Sequence, residues 1–535
     1  MDRAGDNFTV FVAEHLPQAG WELLNAAADV AVAKPFESCA ELMGVVSQAD
    51  AIIIRSATKA DAELFDAAKN LKVIAKLGAQ IHNIDIEEAT RRGIMVLNAP
   101  NANRYAIVEH TFALILALAR QIPYPSETRQ GEERISCRTN GFQLNGKILG
   151  LIGFGVIGQE IAARGQAFGM KTIAYDPFVD LSLAREQRVD ILEFEDVLGM
   201  ADVLTLQIGL NSQTRHIMNA DTFSLMKPGA YLINCLHAGL VDGIALIDAL
   251  DNGLIAGAAM DTFIEEPVSP HNPLIEHEKV ITTPHLHRNT IESQNAIGLD
   301  VVADVLDILR GEDYRNVLNL PFTKNVSYRD TRRHILLGTK LGMLQGQLAE
   351  GEIIRVEVEL IGDGAEDYIH AATMGLLEGV HNAVGKQDIN WVNAPVYTHE
   401  IGIQTAQVKN LLDLPDYPSL MACRVEWQGG GSRLIAGALH AGGEARIIYY
   451  DGFTVDAIPE GYVLILENKD VPGVIGMVGT SLGKADINIG NWRYGREVIG
   501  GRAMSFISLD SPPTQELLND LESQPVILHA RLVRF

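Results

Sequence analysis

The stretch LNGKILGLIGFGVIGQEIAARGQAFGMKTIAYDP, residues 144–177, decides the fold. An apolar strand, Ile148–Ile152, runs into Gly153-Phe154-Gly155-Val156-Ile157-Gly158. A helix is expected from Gln159 to Phe168, and a second strand ends at Tyr175-Asp176. The G-x-G-x-x-G pattern is weak alone; the strand before it, the helix after it and an acid about 20 residues on make it specific. Gly153 permits the tight turn, Gly155 lets the backbone approach a pyrophosphate, and Gly158 lets helix and strand pack closely. The helix N-terminus adds free N–H groups and the positive end of the helix dipole. Asp176 is placed to accept hydrogen bonds from adenosine ribose hydroxyls and to repel a 2′-phosphate, which favours NAD over NADP.

Working outward, Phe8–Val12, Ala51–Ile54, Leu71–Ala75 and Ile94–Leu97 read as strands, with helices at Trp21–Ala27 and ending at Thr90–Gly93. Such alternation favours a second parallel α/β layer. Val108–Arg120 is a long Ala- and Leu-rich helix, fit to join two domains. After Asp176 the strands continue as ADVLTLQ, AYLINC, IAGAAM and VITTP. Asn319–Ser327 has the composition of a linker, a Gly-rich turn stands at 429–432, and a last unit starts near Gly461.

Composition bounds the function. A length of 535 residues suggests several domains. Against 43 Lys and Arg stand 68 Asp and Glu, a net charge of −25, which argues against a surface that tracks nucleic-acid phosphates. Cys39, Cys137, Cys235 and Cys423 show no metal-ligand spacing, so no metal is expected and a reduced, cytoplasmic setting is the simplest reading. The start MDRAGDN lacks an apolar signal core, and no run reaches the ~18 apolar residues of a membrane helix.

Four further stretches carry a resemblance: IIIRSATKADAELFDAAKNLKVI (52–74), NIDIEEATRRGIMVLNAP (83–100), EHTFALILALARQIP (109–123) and GLVDGIALIDALDNGLIAGAAMDTFIEEP (239–267). With 144–177 they make the protein resemble, end to end, the long-form D-3-phosphoglycerate dehydrogenases of the D-2-hydroxyacid dehydrogenase family. The resemblance implies an α/β fold with two Rossmann-like lobes: a substrate lobe from 1–100 and 286–320, and an NAD lobe from 101–285. It implies an intervening domain over 321–457, where VNAPV stands at 392–396. An ACT domain, ferredoxin-like βαββαβ, is implied over 458–535, on YVLILENKDVPGVIGMVGTSLGKADINIG (462–490).

The activity so implied is NAD-dependent oxidation of a 2-hydroxy acid, 3-phosphoglycerate of serine biosynthesis being the family's own. His285 in Thr-Thr-Pro-His matches the family's acid–base histidine. Glu266 matches the carboxylate that holds its tautomer. Cofactor contacts carry over to Gly153, Gly155, Val156, Ile157, Gly158, Asp176, Ile208, Cys235, Leu236, His237, Asp261, His285 and Ala79. Substrate contacts carry over to Arg55, Lys76, Gln80, Asn101, Arg104 and Arg288. An amino-acid effector, serine in many relatives, is implied at Asn468, Asp470 and Asn488. A homo-oligomer, dimer or tetramer, is implied as well.

The substrate pocket departs from the family's pattern. Where Asn-Cys-Ala-Arg-Gly-Gly is usual, residues 234–239 read NCLHAG, so His237 stands for the arginine that grips the substrate carboxylate. Arginine offers a planar, always-charged fork; histidine offers single donors and is mostly neutral at pH 7. Gly78–Asn83 reads GAQIHN for GVGVDN, and 101–104 reads NANR for GGNT. Residues 285–288 read HLHR for HLGG, Val156 takes a usual arginine's place, and the Lys-Trp-x-Arg-Lys motif is missing around Glu132–Arg138. Two readings follow. In one, the pocket is rebuilt for a 2-hydroxy or 2-keto acid, with Arg104, Arg288 and His237 supplying the displaced positive charge and Arg55 and Lys76 retained. In the other, the protein is a catalytically impaired relative that keeps NAD and effector binding as a regulatory or assembly subunit.

Overall fold

A computed structural model describes residues 8–33, 43–122, 141–322, 326–386, 388–414, 417, 419–440 and 442–535. Cys39, Cys137, the 132–138 stretch and 323–325 of the expected linker lie outside these residues. The protein splits into two compact units: Met1–Leu16, Glu22–Asn98 and Val301–Phe535 form the first; Pro17–Trp21 and Ala99–Asp300 form the second.

The second unit is built on a seven-stranded parallel sheet. Its strands in sequence order are Ile148–Ile152, Lys171–Tyr175, Asp190–Ile191, Val203–Leu206, Ala230–Asn234, Ile255–Met260 and Val280–Thr282. Numbered one to seven, they lie in the spatial order 3-2-1-4-5-6-7. The order reverses beside strand one, which opens a crevice at the carboxyl ends where such sheets bind ligands. Both faces of the sheet are covered by apolar clusters, one around Leu204, Leu232 and Leu246, the other around Leu151, Ile161 and Ile233. That is why these strands read as continuous apolar runs rather than alternating ones.

The helix after the glycine turn starts at Val156, three residues earlier than expected, and ends at Ala167. Gly155 caps it in extended backbone with no side-chain bond, so no capping side chain marks the start in the sequence. Residues 286–300, assigned by resemblance to the substrate lobe, group with this unit. The backbone N–H groups of Leu286 and His287 are fastened to the Asp261 carboxylate at the end of strand six, which accounts for the grouping.

The first unit contains a five-stranded parallel sheet in the spatial order Val30–Ala33, Phe8–Val12, Ala51–Ile54, Val73–Lys76, Met95–Asn98. Phe8–Val12 and Ala51–Ile54 fall where the sequence puts them. The strand expected at Leu71–Ala75 runs instead over Val73–Lys76, which buries Lys76. Further on, a mixed six-stranded sheet (353–457) is packed by two long helices, Tyr328–Leu348 and Ala365–Ala383. These helices meet backbone to backbone: a methyl group on Gly338 or Gly342 would run into the Ala372 or Leu376 carbonyl oxygen. Gly375 and Gly379 face Ile335 and Thr339 in the same way. The last part, Tyr462–Arg534, is a βαββαβ unit whose antiparallel strands lie in the order 2-3-1-4, a ferredoxin-like arrangement. Among the described residues no helix is long and apolar enough to cross a membrane.

Candidate active site

Gly153 and Gly158 meet the constraints expected of them. Gly153 has a φ of 100°, and a side chain there would strike the Gln207 carbonyl oxygen. A Cβ on Gly155 would meet nothing within 4 Å, so the protein leaves the turn open at this position. A Cβ on Gly158 would come within 2.5 Å of the Gly153 carbonyl oxygen. Asp176 braces the turn: its Oδ2 accepts from Phe154 N at 2.9 Å and its Oδ1 from Phe178 N at 2.9 Å. Each oxygen keeps a lone pair for a ribose hydroxyl. A dinucleotide fits this cradle. Gly155→Val should therefore fold normally yet bind NADH at least tenfold more weakly, since the β-branched side chain would occupy the space of the pyrophosphate. Calorimetric titration alongside a thermal melt checks both halves of that expectation.

The other sequence-assigned positions of this unit follow the carboxyl ends of neighbouring strands. Ile208 comes after Val203–Leu206, while Cys235, Leu236 and His237 come directly after Ala230–Asn234. Asn234 turns that loop by donating from Nδ2 to the His237 carbonyl at 2.8 Å. Cys235 is fully buried. Asp261 follows Ile255–Met260, and His285 follows Val280–Thr282.

His285 and Glu266 form the expected pair. The imidazole Nδ1 lies 2.8 and 2.7 Å from the two Glu266 oxygens. An imidazole with its Nδ1 proton on a carboxylate presents Nε2 as a bare acceptor. That Nε2 is buried and has no partner. The backbone at His285 is left-handed, with a φ of 55°, which is rare outside glycine. It is held by N–H bonds to Asp261 O at 2.8 Å and Thr283 O at 3.0 Å.

Asp261, expected at the cofactor, is fully buried, and its oxygens are taken by the protein itself. Oδ1 accepts from the Thr283 hydroxyl at 2.6 Å, Leu286 N at 2.8 Å and His110 Nε2 at 3.1 Å. Oδ2 accepts from His287 Nδ1 at 2.6 Å and His287 N at 3.1 Å. Burial pushes the Asp261 carboxyl up, but these hydrogen bonds override it and hold the group well below the ordinary carboxylate range. His110, Thr283 and His287 are site residues that sequence reasoning missed. The one available signal was the second histidine two residues after His285.

His237 is half-buried. Burial pushes its imidazole below the ordinary histidine value, and nearby His287 and His285 push it further. It is therefore neutral at pH 7 and does not supply the positive charge expected of it from the sequence. Arg288 follows His287, and its carbonyl accepts from Gln294 Nε2 at 3.1 Å. Asn101 is exposed just before the helix Arg104–Arg120, and Arg104 donates to the Tyr105 hydroxyl at 2.8 Å.

Four assigned residues belong to the first unit. Lys76 is buried and donates to Asn83 Oδ1 at 2.7 Å and Ser56 Oγ at 3.1 Å. Arg55 Nε donates to His15 O at 2.8 Å, the Ala79 carbonyl accepts from Asn98 Nδ2 at 2.7 Å, and Gln80 is half-buried. In the ferredoxin-like part, Asn468 is buried and gives its Nδ2 to the Lys469 carbonyl at 2.8 Å. Asp470 accepts from the Tyr494 hydroxyl at 2.8 Å and from Gly500 N at 3.0 Å, while exposed Asn488 donates to Asp510 at 2.7 Å. Each effector candidate is thus engaged locally.

Comparison with known proteins agrees with this geometry. The profile of the D-isomer specific 2-hydroxyacid dehydrogenase NAD binding domain matches residues 112–286. That of the D-3-phosphoglycerate dehydrogenase intervening domain matches residues 331–450. A D-3-phosphoglycerate dehydrogenase of Archaeoglobus fulgidus is 35% identical over 92% of this protein and 93% of its own length. One of a Synechocystis strain is 34% identical over 98% and 94%. A crystal structure of a Thermus thermophilus protein is similar with a TM-score of 0.52 at 31% identity, covering 58% of this protein and all of its own length. The protein belongs to the D-3-phosphoglycerate dehydrogenase family and is an NAD-dependent oxidoreductase of the D-2-hydroxyacid dehydrogenase type.

Proposed function

We propose that the protein oxidises a small anionic 2-hydroxy acid, or reduces the corresponding 2-keto acid, with His285 as the acid–base group. One observation carries this reading: His285 Nε2 is buried and unpartnered while Nδ1 is fixed on Glu266. A buried ring nitrogen without a partner is costly, and a substrate hydroxyl would satisfy it. In oxidation, Nε2 takes the proton of the C2 hydroxyl, and Glu266 holds the imidazolium that results. In reduction, the same Nε2 returns the proton to the carbonyl oxygen. The nicotinamide would supply the hydride acceptor as NAD in oxidation and the hydride donor as NADH in reduction. The glycine turn 153–158 and Asp176 hold its pyrophosphate and adenosine ribose.

The curated relatives' name makes 3-phosphoglycerate the first substrate to try. Positive charge from Arg55, Lys76, Arg104 and Arg288 is the proposed means of holding an anion, with Gln80 and Asn101 as neutral contacts. The proposed division is a substrate lobe (1–100 and 286–320), an NAD lobe (101–285), an intervening domain (321–457) and an ACT domain (458–535). An amino-acid effector at Asn468, Asp470 and Asn488, and a homo-oligomer, complete the proposal. Purified protein screened with NADH against a panel of 2-keto acids, including 3-phosphohydroxypyruvate and 2-oxoglutarate, should oxidise the cofactor with at least one of them. Tight NADH binding with no turnover on any member would sink the enzyme reading and leave the impaired, regulatory one, which the neutral His237 favours.

His237 gives the reading a pH signature. An imidazole already pushed below its ordinary value is charged only at acid pH. The KM for a 2-keto acid anion should accordingly fall, by roughly tenfold once His237 is protonated, as pH drops below the ordinary histidine value of about 6.5. In His237→Arg the cation is permanent, so KM should be low and flat over the same pH range. Steady-state kinetics on both proteins reads the difference; parallel KM profiles would remove His237 from substrate binding.

A further inference from the structure

We infer that His287 and Asp261 form a second histidine–carboxylate dyad, stacked beside the first, and that His287 is a positioning residue for His285. The inference rests on the proposed acid–base role of His285 and adds a residue to it. The two dyads are built alike. In each, Nδ1 sits on a carboxylate: His285 on Glu266 at 2.7 Å, His287 on Asp261 at 2.6 Å. The two imidazoles lie with ring centroids 4.9 Å apart and planes 26° apart. His287 and Asp261 are buried, so neither ring nor carboxylate has room to turn away.

Asp261 organises this arrangement twice over. Its main-chain carbonyl takes the N–H of His285, and its side chain takes the N–H groups of Leu286 and His287. The segment therefore wraps around one carboxylate, which sustains the left-handed backbone of His285. The His287 ring then closes the wrap. Its Nδ1 is pinned, and its face stacks on the His285 ring. A glycine, usual at this position in the resembling proteins, would leave that face bare.

The groups that face the pair are His237, Arg288, Glu266 and, through Asp261, His110. Asp261 is ionised and accepts only, so the His287 proton resides on Nδ1. The His287 ring is pushed down by burial, with Asp261 opposing and His285 and Arg288 adding to the shift. It is neutral at pH 7. His287 thus offers His285 a fixed neutral surface, and its part is to aim Nε2 rather than to exchange a proton with substrate.

The test uses the full-length protein with His287→Phe, which keeps a ring and loses the bond to Asp261, and His287→Gln, which keeps a donor and loses the ring. Three readouts are taken: kcat and KM with the 2-keto acid the panel identifies, the Kd of NADH, and the nitrogen NMR signals of the His285 imidazole. In His287→Phe, kcat should fall roughly 10- to 100-fold with KM and NADH Kd within twofold of wild type, because aim and not binding is lost. His287→Gln should recover part of that loss through Asp261. The His285 signals should move from a single Nδ1–H tautomer to a mixture in His287→Phe. Unchanged kcat and an unchanged His285 tautomer in both variants would overturn the inference. If no keto acid is reduced by any form, the proposed activity fails on its own. The tautomer readout then still decides: a mixture in His287→Phe sustains positioning and an unaltered tautomer ends it. Should His287→Phe not fold, His287→Gln alone decides by the same two criteria.

Discussion

In His285→Ala, hydride transfer is expected to slow by about 10²–10⁴-fold while NADH binds within twofold of wild type. Nε2 is the only nitrogen of this ring without a partner, since Nδ1 is spent on Glu266. The glycine turn and Asp176 contact other atoms and are left intact by the change. The loss should therefore fall on the chemical step and not on cofactor affinity. Single-turnover cofactor absorbance separates these, and Glu266→Gln should lie between wild type and alanine, because an amide still meets Nδ1 but no longer favours the imidazolium. If His285→Ala retained wild-type single-turnover rates, the acid–base group would have to be sought among His237 and His287.

The second large effect concerns stability. Gly342→Ala is expected to destabilise the helix pair 328–348 and 365–383 by about 3 kcal/mol, the upper end of overpacking costs. The new methyl would face the Leu376 carbonyl oxygen, with Leu376 C and Val380 N each at 2.9 Å. A clashing side chain can rotate away, but these are main-chain atoms in a helix and cannot. The contrast is Gly479→Ala, in the middle of the helix Val474–Lys484, where a methyl would meet nothing within 4 Å. There the same substitution should stabilise by roughly 0.5–1 kcal/mol, through helix propensity alone. Urea unfolding of the two variants beside wild type gives midpoints that should move in opposite directions. A wild-type midpoint for Gly342→Ala would mean that the two helices separate without cost.

The sequence was most legible where a local rule had one physical solution. Gly153 and Gly158 each meet a different constraint, one a left-handed turn and the other a close helix–turn contact. The parallel strands were readable from alternation, and the βαββαβ unit at the end from the resemblance. The start of the helix at Val156 was not, because a glycine cap leaves no side-chain signature. Val30–Ala33 passed unnoticed because four small apolar residues at a sheet edge do not stand out from their Ala-rich surroundings. In the site, His285 and Glu266 were found by resemblance. His110 was not, because its partner Asp261 is 151 positions away and nothing local links them. His287 appeared in the sequence only as a departure from a pattern; its meaning lies in a contact with a carboxylate 26 positions back. His237 was credited with charge because burial is invisible in a sequence.

The crowded Asp261 carboxylate has one more consequence. Its bonds to His110, Thr283, Leu286 and His287 share a single acceptor, so their energies do not belong to separate pairs. Substitutions at these positions should not add, and the first one made will carry most of the loss. Sequence drift is bound by the same arithmetic. A change at 110, 283 or 287 therefore costs less in a background where one of the others has already altered.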